Sequence, residues 1–281
     1  MAWVSRGGKS ISDVPSGVAL LQWDIEAERM DSLRGTDHFV YLAGFPLVEG
    51  RLDDTHKRVC HASRVLGARL CAKAIASDCS DTLKSFVGAS AIGFYGWDRS
   101  FDAAAALESD APGNDWAASL CAAWEKEYAN VKSARNVVVR IPPVLSKRGG
   151  AYPQMAFPAS MGAAATLGSG QQIFPWIHEE DMAAALESAI FSPAWQGVIN
   201  TVCPEAEQPS AQEFTSALCK SLNRPYLLPN IPEFAARIMF GGVADFVLKG
   251  SRISSRKLES LGFQFKYPTL ESALAQIAQQ K

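Results

Sequence analysis

The sequence lacks an excess of charge of either sign. Its 27 Lys and Arg residues nearly balance its 29 Asp and Glu residues, which leaves a formal net charge of −2 over 281 residues. Binding to nucleic acid or to an anionic membrane surface normally requires a concentration of positive charge. The composition therefore supports neither partner, and we expect a small-molecule ligand.

Paired cysteines are also lacking. The six cysteines are scattered, and no two form a C-x-x-C pair: Cys60, Cys71, Cys79, Cys121, Cys203 and Cys219. Disulfide frameworks and zinc sites need closer or more regular spacing. No apolar run reaches the length of a membrane span, and the first residues show no signal-peptide pattern. We expect reduced thiols, no metal and no membrane partner. We also expect a cytoplasmic location, with organelle targeting as the alternative if further residues precede Met1.

Strand-like and helix-like segments alternate along most of the chain. Short apolar runs predict strands at 2–6, 18–23, 39–43, 85–90, 136–141 and 198–202, and helical spacing predicts helices at 55–76, 116–131 and 179–191. Such alternation is typical of a doubly wound, parallel α/β sheet, which binds ligands at the carboxyl ends of its strands. From Ser210 onward helices and prolines dominate. We predict a Rossmann-like domain over 1–205 and a smaller, mainly helical C-terminal lobe over 206–281.

One element of such a fold has no counterpart in the sequence. A Rossmann fold holds the cofactor pyrophosphate on backbone N–H groups of a G-x-G-x-x-G turn between its first strand and first helix. No such turn occurs, and Gly7-Gly8 is followed by Lys, Ser and Ile. Charge-assisted bonds contribute about 1.5–3 kcal/mol each, so we expect cofactor binding to be weaker by orders of magnitude. Loss of the first strand also predicts open sheet edges near Val4 and Phe39, where a homo-oligomer or aggregate can form.

Several stretches, in this order, carry a recognisable pattern: VSR at 4–6, YLAG at 41–44, SRVLG at 63–67, LGSG at 167–170 leading into FPWIHEED at 174–181, and a tail with RKL at 256–258, GFQF at 262–265 and YPTL at 267–270. Together they resemble the epimerase branch of the atypical short-chain dehydrogenases/reductases, over nearly the whole chain. The resemblance implies an NADP(H)-dependent oxidoreductase or epimerase-like protein acting on a small carbonyl or sugar-nucleotide substrate. It also implies that the first strand, the glycine turn and the first helix are missing.

The resemblance implies these cofactor contacts: Ser5, Arg6, Leu42, Ala43, Gly44, Arg64 and Val144. Arg6 would hold the adenosine 2′-phosphate, because a guanidinium matches phosphate oxygens in pairs, and this favours NADP over NAD. Small residues at 42–44 would let the backbone approach the cofactor, and Arg64 would reach a cofactor phosphate. From the residues alone, an alternative without the cofactor stays open for each position. Arg6 could be a solvated surface residue, Gly44 could belong to a tight turn, and Arg64 could form an ion pair.

Catalytic candidates are few. Short-chain dehydrogenases typically use a Ser and a Tyr-x-x-x-Lys pair, in which the Lys lowers the pKa of the Tyr phenol. Ser90 matches the Ser position, whereas Ala117 and Cys121 stand where the Tyr and the Lys would be. Tyr95 is the nearest phenol, so Ser90 and Tyr95 are the catalytic candidates, with aromatic packing of Tyr95 as the alternative.

His178 is the last candidate, because in related epimerases this turn borders the substrate pocket. Its pKa suits proton transfer, although a structural cap at the start of the following helix is the alternative. No second His stands at metal-ligand spacing. Because the Tyr-x-x-x-Lys pair is missing, two further functions stay open: a non-catalytic NADP-binding or scaffold protein, and a truncated product that binds no cofactor.

Overall fold

The computed structural model describes residues 1–6, 14–48, 52–97, 99–100 and 102–280. The strands are β1 (Ala2–Arg6), β2 (Ala19–Asp24), β3 (Arg29–Met30), β4 (His38–Tyr41), β5 (Ser85–Ala91), β6 (Asn136–Ile141), β7 (Val144–Leu145), β8 (Ile177–His178) and β9 (Gly197–Asn200). The helices are α1 (Asp54–His61), α2 (Gly67–Asp78), α3 (Trp116–Tyr128), α4 (Ala151–Ser160), α5 (Glu179–Phe191), α6 (Ala211–Ser221), α7 (Glu233–Phe240), α8 (Ala244–Leu248), α9 (Arg256–Ser260) and α10 (Leu270–Gln279). A π-helical turn, Ala62–Leu66, joins α1 to α2, and 3₁₀ turns lie at Ile92–Tyr95, Glu205–Glu207 and Gly241–Val243.

The main sheet has four parallel strands in the order β4, β5, β6, β9. A second sheet places β1 parallel to β2 and β3 antiparallel to β2, and β7 pairs with β8 separately. The predicted α/β fold with a parallel sheet and a helical C-terminal region is confirmed. The strand predicted at 136–141 and the helix predicted at 179–191 have the predicted bounds.

The two larger sheets each keep a free edge. Among the described residues, β1 pairs only with β2 and β4 pairs only with β5. These are the strands of Val4 and Phe39, where the sequence predicts open edges. No described strand pairs with the outer side of β1 or of β4, so the backbone N–H and C=O groups on those sides are a template for a further strand.

Helices cover both faces of the main sheet. On one face, α2 and α3 bury a cluster that includes Tyr41, Phe86 and Tyr128. On the other, α5 packs against Val87 and Ile199. The result is a three-layer arrangement, in which the ends of the strands stay free to carry a site.

A third core attaches the C-terminal helices. It brings Phe94 and Trp176 together with Phe214 on α6 and Leu274 on α10. Residues from both sides of the predicted boundary at 206 share this core, and the boundary itself stays a prediction.

Local signals explain where the helices begin. Asp115 accepts from the Ala118 N–H at 2.9 Å and caps α3. Ser210 and Glu213 form a reciprocal capping box at the start of α6. All six cysteines are buried free thiols. Within the described ranges, no helix is long and apolar enough to cross a bilayer, and no three His, Cys, Asp or Glu side chains cluster as metal ligands.

Candidate functional site

The candidate site lies where β4, β5 and β6 end. Gly44 follows β4, Ser90 is near the end of β5, and Arg140 is near the end of β6. Two flanking segments add charged side chains, Arg64 from the π turn and Glu125 from α3. The parallel sheet therefore brings residues that are far apart in sequence together at the carboxyl ends of its strands.

Arg64 is a buried cation that packs directly on Gly44. Its guanidinium donates to the Phe45 carbonyl at 2.8 Å and lies 5.2 Å from the ring centroid of Trp124. A Cβ on Gly44 would lie 2.9 Å from the Arg64 Cζ, so only glycine allows this approach.

No carboxylate neutralises Arg64 within the part of the chain that the structure describes. The side chain is only 9% exposed, and burial lowers its pKa. The buried indole N–H of Trp124, beside it, has no acceptor among the described residues. A buried cation without an anion is costly, and this pair of groups fits an anionic ligand such as a phosphate.

Ser90 is held by an ion pair. Its hydroxyl donates to Glu125 Oε1 at 2.6 Å, and Arg140 donates from Nε to Oε1 and from Nη2 to Oε2, both at 2.9 Å. Arg140 is 2% exposed. Bidentate, charge-assisted pairs of this kind are the strong ones, so the carboxylate that accepts from Ser90 is itself firmly held.

Tyr95 belongs to the same network. Its phenol donates to Asn200 Oδ1 at 2.7 Å and accepts from Arg140 Nη1 at 2.9 Å. Burial raises the pKa of Tyr95, although the neighbouring Arg140 opposes the shift. Tyr95 is buried, with its proton engaged inside the protein. Its role as a proton donor stays a prediction.

The positions of the missing pair are apolar. Ala117 and Cys121 both lie buried on α3, and burial, with Glu125 nearby, raises the pKa of the Cys121 thiol to about 12. A thiol is either neutral or anionic, so Cys121 cannot supply the cation that a Tyr-x-x-x-Lys pair needs.

The other predicted cofactor contacts lie at strand ends. Ser5 is half-buried near the end of β1, and Arg6 is the last residue of that strand, where the structure describes the backbone only. Leu42 and Ala43 directly follow β4, and Val144 begins β7. Their roles stay predictions. Gly7-Gly8 lies outside the described residues.

His178 is engaged on both ring nitrogens. It is fully buried, Nδ1 accepts from the Glu180 N–H at 3.1 Å, and Nε2 lies 2.9 Å from Gln276 Oε1. Because Nδ1 accepts, the proton of the neutral ring is on Nε2. His178 thus caps α5 and ties it to α10, which is the structural alternative. Contact with a substrate stays a prediction.

Sequence reasoning did not identify Glu125, Arg140 or Asn200 as parts of the site. A signal existed for Arg140, because it is the one charged residue in the apolar strand NVVVRI. Buried charges are almost always paired. The partner was not predictable, because the pair joins a helix to a strand.

An open cavity of about 560 Å³ lies on the β9 side of this network. Its lining residues are Leu107, Glu108, Ser109, Val198, Ser254, Arg256 and Lys257. Glu108 connects it to the network, because its carboxylate accepts from the Asn200 N–H at 3.0 Å.

Comparisons with known proteins agree on one family. A family model described as Domain of unknown function (DUF1731) matches residues 231–277. The Epimerase family protein SDR39U1 homolog, chloroplastic, of Arabidopsis thaliana is 33% identical over 258 residues, which is 90% of this chain and 72% of the relative. Epimerase family protein Mb2239 of Mycobacterium bovis is 36% identical over 267 residues, which is 92% of this chain and 85% of the relative.

A solved structure is similar over nearly the full length. The crystal structure of human epimerase family protein SDR39U1 (isoform 2) with NADPH superposes with a TM-score of 0.87 and 30% identity. The match covers 99% of this chain and 90% of the human chain.

Proposed function

The chain belongs to the epimerase family that includes SDR39U1, and we propose that it is an NADP(H)-dependent oxidoreductase or epimerase. Its substrate is a small carbonyl compound or a sugar nucleotide. NADPH in the human relative's structure supports this choice of cofactor.

The observation that carries the proposal is the buried guanidinium of Arg64 beside Gly44, which has no carboxylate partner among the described residues. Without a ligand, the Phe45 carbonyl and the Trp124 ring offset the cost of burying this cation only in part, because neither carries a full negative charge. A cofactor phosphate at the end of β4 supplies the missing negative charge. Ser5, Arg6, Leu42, Ala43 and Val144 would complete the contacts from the neighbouring strand ends.

When bound, NADP(H) supplies or accepts a hydride at its nicotinamide ring. The chain's part is to orient the substrate at Ser90, the residue of the network that stands at the expected catalytic position. The buried Arg140–Glu125 pair keeps Ser90 in place, so its hydrogen-bonding geometry is set before any substrate arrives.

A non-catalytic NADP-binding or scaffold protein is the second candidate. The residues that favour it are Ala117 and Cys121, because neither can replace Tyr or Lys in proton transfer. A protein that binds no cofactor is the third reading. The predicted cytoplasmic location stays a prediction, and the Arabidopsis relative is by name chloroplastic.

The test combines binding with turnover. NADPH fluorescence measures binding. Turnover is then followed as oxidation of NADPH with a panel of ketones, and as formation of the epimer with a panel of sugar nucleotides and NADP⁺. The proposal expects saturable binding and turnover that Ser90→Ala abolishes while leaving the NADPH Kd unchanged. Binding without turnover across the panel would favour the scaffold reading. Absence of saturable binding would favour a protein that binds no cofactor.

A further inference from the structure

We propose that Tyr41 is a positioning residue of the candidate site: its phenol holds the π turn Ala62–Leu66 in the register that places Arg64 against Gly44. Tyr41 is the last residue of β4 and directly precedes the predicted cofactor contacts at 42–44. The inference rests on the proposed function only for what Arg64 binds.

The π turn leaves one backbone carbonyl without a helical partner. The Gly67 N–H donates to the Ala62 carbonyl, five residues earlier, whereas an α-helical bond would join it to Ser63, four residues earlier. The Ser63 carbonyl accepts from the Tyr41 hydroxyl instead, at 2.7 Å. Burial raises the pKa of Tyr41, so the phenol keeps its proton and stays a donor. A side chain from β4 thus satisfies the carbonyl that the π turn leaves over.

Two consecutive side chains of the turn bind one residue of the site. Ser63 Oγ accepts from the Phe45 N–H at 2.9 Å, and Arg64 Nη1 donates to the Phe45 carbonyl at 2.8 Å. The Ser63 hydroxyl is itself fixed, because it donates to the Cys60 carbonyl at 3.0 Å. The backbone that follows Gly44 and the guanidinium of Arg64 therefore depend on the same turn.

Loss of the phenol would favour a different register. A buried carbonyl without a donor is costly, and an α-helical bond from Gly67 would satisfy the Ser63 carbonyl. That change rotates Ser63 and Arg64 relative to α2 by about 100°, because an α-helix has 3.6 residues per turn. Since α2 is held by its buried face, the rotation would carry Arg64 away from Gly44.

Tyr41→Phe is the discriminating variant, because it removes only the hydroxyl and keeps the ring. Tyr128→Phe is the matched control. Its ring lies in the same buried cluster, 6.0 Å from that of Tyr41 between centroids, but its hydroxyl donates to the Ala89 carbonyl on β5, at 2.7 Å. Thermal melts check that each variant folds.

Amide hydrogen exchange, followed by NMR without cofactor, tests the positioning itself. The Phe45 amide reports the loop, because it is bonded to Ser63, and the Val139 amide in the buried part of β6 reports overall stability. We expect Tyr41→Phe to accelerate exchange at Phe45 at least tenfold relative to Val139, and Tyr128→Phe to leave this ratio unchanged. An unchanged ratio in a folded Tyr41→Phe would overturn the inference.

NADPH titrations then test whether Tyr41 acts through Arg64. Tyr41→Phe should weaken binding at least fivefold in the otherwise unaltered chain but less than twofold in an Arg64→Met background, because the side chain that Tyr41 positions is then absent. Equal losses in the two backgrounds would indicate a general structural role and overturn the inference. Accelerated exchange at Phe45 in a chain that binds no NADPH would support the positioning of Arg64 and count against the proposed function.

Discussion

The indole of Trp23 meets the phenol ring of Tyr41 edge-on, with 5.9 Å between the ring centroids. Trp23 lies on β2 and Tyr41 on β4, so this contact joins two sheets that share no hydrogen bonds among the described residues. Both rings also press on Gly67, the first residue of α2. Side-chain packing, and not a continuous ladder, therefore holds the two sheets together.

Gly67→Ala tests this junction. A Cβ at position 67 would lie 2.3 Å from the Tyr41 hydroxyl oxygen and 2.9 Å from Trp23 Cη2. Alanine in a helix normally gains about 0.5–1 kcal/mol over glycine, but overpacking a core typically costs about 1–3 kcal/mol. The clash should win, because both rings are buried. Chemical denaturation should show a net loss of stability.

Gly149→Ala is the control for that variant, because a Cβ there meets nothing within 4 Å. Its free energy of unfolding should stay close to that of the unaltered chain. A Gly67→Ala protein as stable as the control would show that the two rings do not lock the junction.

The free edge of β1 predicts self-association. Trp3 and Leu20 are register partners on β1 and β2, and their side chains are 39% and 42% exposed. Trp3→Lys places a charge beside the edge, which blocks edge-to-edge pairing. Light scattering after size exclusion should show concentration-dependent oligomers that decrease in Trp3→Lys.

Leu227→Lys is the control for Trp3→Lys. It removes an apolar side chain that is 81% exposed, more than Trp3, and that lies far from β1 in sequence. It should associate like the unaltered chain. If the unaltered chain is a monodisperse monomer at all concentrations, the prediction of a homo-oligomer is wrong.

The predicted preference for NADPH over NADH depends on Arg6. If it holds the adenosine 2′-phosphate, Arg6→Glu should weaken NADPH binding far more than NADH binding, because only NADPH has that phosphate. Parallel fluorescence titrations measure both. Equal losses for the two cofactors would remove Arg6 from the 2′-phosphate site.

The Arg69–Glu127 pair makes stability depend on pH. The hydrogen bonds and charge of Arg69 lower the pKa of Glu127 in the folded state. Its stabilisation is therefore present above the unfolded pKa of about 4.3 and is lost as the pH falls through the folded value. Melting curves should show Glu127→Gln less stable than the unaltered chain at neutral pH, with the gap closing in acid. A gap that widens in acid would contradict this.

Sequence patterns predicted the regular elements well, because apolar periodicity reports burial directly. The strand Asn136–Ile141 and the helix Glu179–Phe191 are examples. The π turn Ala62–Leu66 inside the helix predicted at 55–76 was not visible, since a change of hydrogen-bond register leaves the apolar spacing nearly intact.

The site was only partly predictable. Ser90, Gly44 and Arg64 were identified by resemblance, and the structure brings Gly44 and Arg64 into contact. Glu125 on α3 contacts Ser90 on β5 and Arg140 on β6. This contact depends on how the three elements pack together, which no local sequence pattern encodes. His178 shows the reverse case: its residue type suits proton transfer, whereas its bonds to Glu180 and Gln276 are structural.

No G-x-G-x-x-G turn occurs in residues 1–281, and this absence predicts a low affinity of these residues for NADPH. Adding a strand, a glycine-rich turn and a helix ahead of Met1 would restore N–H donors for the pyrophosphate. Calorimetry should show binding tighter by orders of magnitude in the extended chain. Unchanged affinity would show that residues 1–281 already hold the pyrophosphate by other groups.

The most direct measurement is NADPH titration of Arg64→Met beside Arg69→Met, an arginine on the adjoining helix that is half exposed and already paired. The account predicts that Arg64→Met loses at least tenfold in affinity, while its melting temperature without cofactor stays the same or rises, because a costly buried charge is gone. Arg69→Met should keep its affinity. Equal NADPH affinity in the Arg64→Met and unaltered chains would contradict the account.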